Sequence, residues 1–343
     1  MLIRSISGIR GLVEEDLKQS TIIKYAHALH NSLNPGVIYA GRDSRPSGEA
    51  IVETFIQELL KLGRTIIYCG IVPTPTIQYM VHTSEAVGGF IITASHNPIE
   101  WNGIKFLKED STFFHSKNCE ELFEYADNYI PNESPAKQDG IMWEEKNSVH
   151  KHTIKCASLK CIDLDGIREK NFKVVIDAVN GAGANALPEM LEILGCEVIR
   201  LNCTPSGEFT RGTEPLPENL MDLSKKVIDH KADVGFAVDP DADRLAVVDE
   251  QGNPLGEEYT LVLAADGYIE TMQTEETFVT NLSTSLALDK LAVTKNCSVE
   301  RTSVGEINVV NKMNDIGSNL GGEGNGGVIL KECHLGRDSL VAV

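Results

Sequence analysis

Apolar and polar positions along this chain follow two periods in turn, one fitting strands and the other fitting helices. Residues 36–41 form a short apolar run that ends at Arg42-Asp43, and residues 48–62 then space their apolar positions by three and four before stopping at Gly63. Residues 65–69 read as a further strand, 78–82 as a helix, and 88–92 are apolar throughout. This β-α-β order predicts an α/β fold of mixed, largely parallel sheets flanked by helices. Between residues 130 and 158 the pattern weakens and Pro131 and Pro135 interrupt it, which places a domain boundary there. A second unit opens with a strand at 172–178, the turn Asn180-Gly181-Ala182-Gly183 and a helix ending near Leu194. Strands at 235–238 and 245–248 flank an acidic stretch, and the turn at 249–254 closes that unit. A third begins near Leu255 and includes a strand at 278–282. The 343 residues exceed what one core usually supports, and the expected units are 1–150, 151–252 and 253–343.

Two segments carry chemistry. Gly88-Gly89-Phe90-Ile91-Ile92 runs into Thr93-Ala94-Ser95-His96-Asn97-Pro98, so Ser95 falls on a loop at a strand's carboxyl end, where parallel sheets collect ligands. His96 and Lys105 stand nearby for proton transfer and positive charge. Ser, Asn and Pro are also the ordinary residues of a strand-to-loop turn. The second segment is Asp239-Pro240-Asp241-Ala242-Asp243-Arg244, entered from an apolar strand. Three adjacent carboxylates repel one another unless a cation sits among them, and hard oxygen ligands suit magnesium or calcium. An EF-hand would use Asp239, Asp241, Asp243 and Glu250. It needs glycine where Arg244 stands, and helices where both flanks read as strands. A solvated acidic turn is the remaining alternative to a metal site. The turn at 180–183 lacks the GxGxxG pattern and reads as structural, not as a phosphate cradle.

The net charge of −19 argues against nucleic acid or anionic membrane as a partner. An anionic substrate would need local cations, and Arg10, Arg42, Arg45, His96, Lys105 and Arg244 lie within the motifs; the other Lys and Arg are expected at the surface. Eight cysteines are scattered without a CxxC pair or a His spacing that predicts zinc, which fits reduced thiols and a cytoplasmic location. Met1-Leu2-Ile3-Arg4-Ser5 does not open a secretory apolar core, and no apolar run is long enough to cross a membrane.

Six segments occur in an order and with contents that resemble the α-D-phosphohexomutase family of phosphoglucomutases, phosphomannomutases and phosphoglucosamine mutases. They are Ser7-Gly8-Ile9-Arg10-Gly11, Gly41-Arg42-Asp43-Ser44-Arg45, Thr93-Ala94-Ser95-His96-Asn97-Pro98, Asn102-Gly103-Ile104-Lys105, Asp239-Pro240-Asp241-Ala242-Asp243-Arg244, and Gly321-Gly322-Glu323-Gly324-Asn325-Gly326-Gly327. The resemblance implies consecutive phosphohexomutase-type domains. It implies a magnesium-dependent enzyme that interconverts hexose 6-phosphate and hexose 1-phosphate through a phosphoserine and a hexose bisphosphate. Ser95 would carry the phosphoryl group and join Asp239, Asp241 and Asp243 around Mg2+. Arg10 and Arg244 would offset charge on the transferring group. Lys105, its pKa depressed by those arginines, would be the acid/base with His96 assisting, and Glu323 and Asn325 would bind the sugar. A monomer or homodimer is expected.

Where the family continues into a fourth, phosphate-gripping domain, these residues stop just after His334-Leu335-Gly336-Arg337-Asp338, which resembles the end of the third. A chain without that domain is expected to bind magnesium but turn over slowly. The 322–327 loop lacks the serine usual in bacterial members, the opening residues resemble members assigned to glucosamine phosphate, and Glu306 stands where some phosphomannomutases have histidine. These features lean to phosphoglucosamine mutase, with phosphomannomutase or phosphoglucomutase as the alternative. Two other classes are a haloacid-dehalogenase-type phosphatase, whose aspartate nucleophile would follow the first strand, and a non-catalytic sugar-phosphate-binding fragment.

Overall fold

A computed structural model describes residues 1–131 and 139–343; Pro135 lies outside them. The chain begins with β1 (Ile3–Ser5), β2 (Gly8–Leu12), α1 (Gln19–Ser32), β3 (Val37–Arg42), α2 (Gly48–Lys61) and β4 (Thr65–Ile71). It continues with α3 (Thr74–His82), β5 (Gly88–Ile92), β6 (Trp101–Lys108), α4 (Ser116–Asn128) and β7 (Ile141–Glu144). The seven strands form one sheet in the order β1-β2-β6-β5-β3-β4-β7. β3 is parallel to β4 and β5, and β6 returns antiparallel to β5.

The second sheet follows α5 (Ser148–Ala157) and α6 (Leu164–Lys170). It comprises β8 (Lys173–Asp177), β9 (Glu197–Leu201), β10 (Val234–Val238) and β11 (Leu245–Val248), with α7 (Gly183–Ile193) and α8 (Met221–His230) in the crossovers. The third holds β12 (Thr277–Asn281), β13 (Ser298–Thr302), β14 (Leu320–Glu323) and β15 (Gly327–Leu330), with α9 (Glu258–Met272), α10 (Ala287–Thr294), α11 (Glu306–Ile316) and α12 (Ser339–Ala342) around it.

All three sheets share one device. A parallel strand is followed by an antiparallel return strand, β5 to β6, β10 to β11 and β14 to β15. The loop between them lies at the carboxyl end of the parallel strand. Those three loops are the serine motif, the aspartate motif and the glycine-rich Glu323 motif.

Two readings of the sequence change. The helix expected at 78–82 starts at Thr74: Thr-Pro-Thr reads as a loop, yet Pro75 sits in the first turn, where a missing N–H costs nothing. The polar stretch after Ile130 holds β7, parallel to β4 at the sheet edge, and α5. All four β7 residues are exposed, which is why they showed no alternation.

The first sheet has its own core, built on Tyr25, Phe55, Phe90 and Phe106. The second and third share one: Leu187, Phe236 and Val238 pack in the same cluster as Leu261, Phe278 and Leu340. Burial of each such side chain contributes about 1.5–3 kcal/mol. Gly326 couples their hairpins. Its carbonyl accepts from the Leu245 amide at 3.0 Å, its φ is +87°, and a Cβ there would lie 2.3 Å from the Leu245 oxygen. Gly326→Ala is expected to cost roughly 1–2 kcal/mol for the left-handed backbone and ~1–3 kcal/mol for the overpacking, read as a lowered unfolding midpoint.

Candidate active site

Ser95 follows the fully buried β5 and is itself 2% exposed. Its φ of +51° is uncommon for a residue with a Cβ, and such strain concentrates at functional sites. The geometry is held from both sides. The Ser95 amide donates to Thr93 Oγ1 at 2.8 Å. Arg45 donates to the carbonyls of Ser95, Asn97, Pro98 and Trp101 at 2.5–3.0 Å, and its Nε donates to Asp43 at 3.0 Å. Arg45 has no exposed surface, so it frames the loop and leaves nothing for a substrate, contrary to the sequence expectation. Arg42 also falls outside the cluster: it donates to the Asp43 carbonyl and does not line the cleft.

Ser95 Oγ lies 3.2 Å from His96 Nδ1 and 3.3 Å from Asp239 Oδ2, 144 residues away in sequence. Burial, reinforced by Arg244, lowers the His96 pKa to about 4. The imidazole is therefore neutral at pH 7. Arg244 Nη2 donates to the same Nδ1 at 3.2 Å, which marks that nitrogen as the unprotonated one. Ser95 and Arg244 share that one lone pair, and His96 does not carry the positive charge expected of it.

Asp239, Asp241 and Asp243 are buried, and their carboxylate oxygens lie within 4.8 Å of one another. Ala242 between them has φ +54°. Thr74, at the start of α3, donates to Asp241 through both its amide (2.9 Å) and its hydroxyl (2.8 Å). Lys105 Nζ donates to Asp241 at 2.7 Å and Asp243 at 3.3 Å. Even so, Oδ1 of Asp241 and Oδ1 of Asp243 find no donor among the described residues. Burial and then repulsion from Asp243 and Asp241 push Asp239 far above the usual carboxylate range. Buried, donor-poor oxygens facing one another fit a hard divalent cation. The turn at 180–183 is spent on this loop: Ala182 donates its amide to the Pro240 carbonyl at 2.8 Å, which suits a structural turn.

For Lys105 the structure reverses one expectation. Burial alone would lower its pKa, but Asp241 and Asp243 more than offset that, and the net shift is upward. Arg337 pulls it down, but by less than the two carboxylates raise it.

Beside the aspartates is a cavity of about 180 Å3 walled by Arg10, Lys105, Arg244, Glu323, Asn325 and Arg337, among others. Arg10 donates to Asn97 Oδ1 at 3.2 Å. Glu323 accepts from Asn281 at 2.7 Å and from Arg337 at 2.8 Å, and Asn325 Oδ1 has no partner among the described residues. A larger cavity, about 810 Å3 around His27, Arg64 and Tyr129, contains none of the motif residues. Thus Ser95, His96, Lys105, Arg10, Arg244, Glu323, Asn325 and the three aspartates all fall in one region.

Sequence reasoning missed several neighbours. Arg337, taken only as a domain-end marker, bridges Asp243 (2.7 Å), Glu323 (2.8 Å) and Glu306 (3.0 Å). Thr213 donates to the His96 carbonyl, and Glu214 lies 3.3 Å from Arg244. No local pattern marks these, since each acts on a partner far along the chain.

Three family models match in order. They are the phosphoglucomutase/phosphomannomutase alpha/beta/alpha domains I (residues 2–132), II (151–252) and III (256–343). The chain belongs to the phosphoglucomutase/phosphomannomutase family. Among related phosphohexomutases, it is 36% identical over 340 residues to a phosphoglucomutase/phosphomannomutase of Thermococcus kodakarensis, spanning 96% of this chain and 73% of that protein. A probable phosphoglucosamine mutase of Methanopyrus kandleri is 34% identical across 96% of this chain and 72% of its own length. In fold, the chain matches a putative phosphomannomutase from Thermus thermophilus with a TM-score of 0.90 at 23% identity, covering 99% of this chain and 78% of that one. Among the described residues no helix is long and apolar enough to cross a membrane.

Proposed function

We propose that this phosphohexomutase moves a phosphoryl group between Ser95 and a hexose phosphate, interconverting 6- and 1-phosphates by way of the bisphosphate. The observation that carries the reading is the approach of Ser95 Oγ to the aspartate cluster, 3.3 Å from Asp239 Oδ2. Asp239, Asp241 and Asp243, with Ser95, would hold a magnesium ion, which supplies charge neutralisation for the transferring group. Arg10 and Arg244 add positive charge beside it.

Proton handling follows from the two shifted groups. His96, kept neutral, takes the proton from whichever hydroxyl attacks. As the phosphorus–oxygen bond breaks, His96 returns that proton to the oxygen that leaves, which Lys105, kept protonated, would steady. In the forward half, the phosphorus–oxygen bond to Ser95 breaks as the bond to the sugar oxygen forms. The bisphosphate then turns over and returns its other phosphoryl group to Ser95. Glu323 and Asn325, which line the cavity, would bind the sugar hydroxyls.

Glucosamine phosphate is the preferred substrate in this reading. Glu306 and Glu323 both line the cavity and share one cation, Arg337, so the 2-ammonium group of glucosamine would add a second positive partner there where a 2-hydroxyl would not. The alternative is a mannose or glucose phosphate, for which relatives are also named. The test loads Ser95 from a hexose 1,6-bisphosphate. Phosphate loss is then followed by intact mass as glucosamine, mannose and glucose 6-phosphates are added. Fastest discharge by glucosamine 6-phosphate is expected. A phosphate found on an aspartate would replace the mutase with a phosphatase, and no loading at all would leave a binding protein.

Replacing Asp241 with Asn should weaken magnesium binding by more than about ten-fold, read by titration calorimetry. It should also lower metal-free stability, because Asp241 holds Lys105 and Thr74. Asp239→Asn should instead raise metal-free stability, since ionised Asp239 is opposed by both neighbours.

A further inference from the structure

A second cluster of metal-ligating side chains lies away from the aspartates. His152 comes from α5, Cys333 and His334 from the turn after β15, and Asp338 from the N-cap of α12. All four are at most 1% exposed, and their donor atoms lie within 4.8 Å of one another. His152 Nε2 is 2.9 Å from Asp338 Oδ2, His334 Nε2 is 3.1 Å from the same oxygen, and Cys333 Sγ is 3.7 Å from His152 Nε2. Cys156, one helical turn beyond His152, places its sulfur 3.8 Å from that of Cys333.

Hydrogen bonds alone account for this arrangement poorly. If His152 Nε2 donates its proton to Asp338, it has no lone pair left for the Cys333 thiol. If it accepts from the thiol, it no longer bonds Asp338. Both imidazoles converge on the same carboxylate oxygen, and His334 Nδ1 is buried with no partner among the described residues. A cation at the centre removes the conflict at His152 Nε2, because all four ligand atoms then present lone pairs inward. The charges also balance. A thiolate and a carboxylate carry two negative charges, two neutral imidazoles carry none, and a divalent ion brings the buried cluster to neutrality.

We propose that His152, Cys333, His334 and Asp338 form a closed, tetrahedral site for zinc. Nitrogen, sulfur and oxygen donors together select zinc over magnesium. Bonds of about 2.0–2.3 Å in tetrahedral geometry separate ligands by ~3.2–3.7 Å; the 3.7 Å from Cys333 to His152 falls in that range, and the 2.9 and 3.1 Å contacts with Asp338 need to open by a few tenths of an ångström. The outer contacts of such a site are present: His152 Nδ1 meets Thr76 Oγ1 at 3.1 Å, and Asp338 Oδ1 accepts from the Leu340 amide at 2.9 Å. Four protein ligands leave no open position, so the ion is structural. It fixes both ends of the 333–338 turn to α5, and that turn delivers Arg337 to Asp243, Glu306 and Glu323.

The test uses cobalt(II) as a spectroscopic probe in the 343-residue chain kept reduced. Thiolate-to-cobalt charge transfer in the near ultraviolet and intense visible bands are expected at about one ion per chain. Zinc should quench them and magnesium should not. Cys333→Ser should remove the charge-transfer band, and zinc should no longer raise its unfolding temperature. A weak octahedral spectrum in the parent overturns the proposal, as does an unchanged band in Cys333→Ser. Should that variant fail to fold, alkylation of the parent decides. Cys333 must be protected by zinc during partial unfolding, and equal labelling with and without zinc rejects the site.

Discussion

Ser95→Ala is expected to fold as the parent does and to take up no phosphoryl group from a hexose bisphosphate. Among the described residues the hydroxyl makes only two polar contacts, with His96 at 3.2 Å and Asp239 at 3.3 Å. Their loss should cost no more than about 0.5–1.5 kcal/mol each. The loop itself is held by Arg45 and Thr93 through backbone atoms, which alanine keeps. Phosphoryl acceptance should therefore fall to background while the unfolding temperature barely moves. Intact mass after incubation with the bisphosphate, beside a thermal melt, checks both. A variant that still gains phosphate places the nucleophile elsewhere.

Arg45→Met should act in the opposite way, on stability first. It removes five donated hydrogen bonds from a site with no exposed surface. Asp43 is left buried without its cation, and burial already pushes that carboxyl upward. Breaking a buried pair by removing one partner costs about 3–5 kcal/mol. Urea unfolding should show a loss of that size, and Ser95 should label more slowly because its loop is no longer framed. Arg45→Lys should recover little, since a single ammonium cannot reach four carbonyls and a carboxylate at once. A midpoint near the parent's for Arg45→Met would mean that the loop does not depend on the clamp.

Much of this molecule was legible along the chain because its signals are local. The strand at 88–92, the helix from 48 and the strands flanking the aspartates each declare themselves within a dozen residues. What was hidden depends on distant partners or on exposure. β7 carries no alternation because neither face is buried. Arg45 sits in a motif beside residues of the cleft, and only its four carbonyl partners reveal that it faces inward. Arg337 looked like punctuation until Asp243, Glu306 and Glu323 were seen to converge on it. The His152 cluster joins residues up to 186 positions apart, beyond the reach of any spacing rule. Lys105 shows a different limit: Arg10 and Arg244 were expected to set its pKa, but Asp241 and Asp243, at 2.7 and 3.3 Å, decide the sign of the shift.

The way the cores divide has a consequence for how this protein should fail. Ser95 rides on a hydrophobic body of its own, whereas the aspartates and Glu323 ride together on another. The contacts of Ser95, Lys105 and Thr74 with the aspartate loop span the seam between the two. Tyr79 and Val149 are the partly buried apolar residues that pack on both sides, and a seam held mainly by polar groups yields to warming sooner than the apolar masses beside it. Activity should accordingly vanish while both bodies are still intact, much as a clasp opens before either half of a locket is damaged.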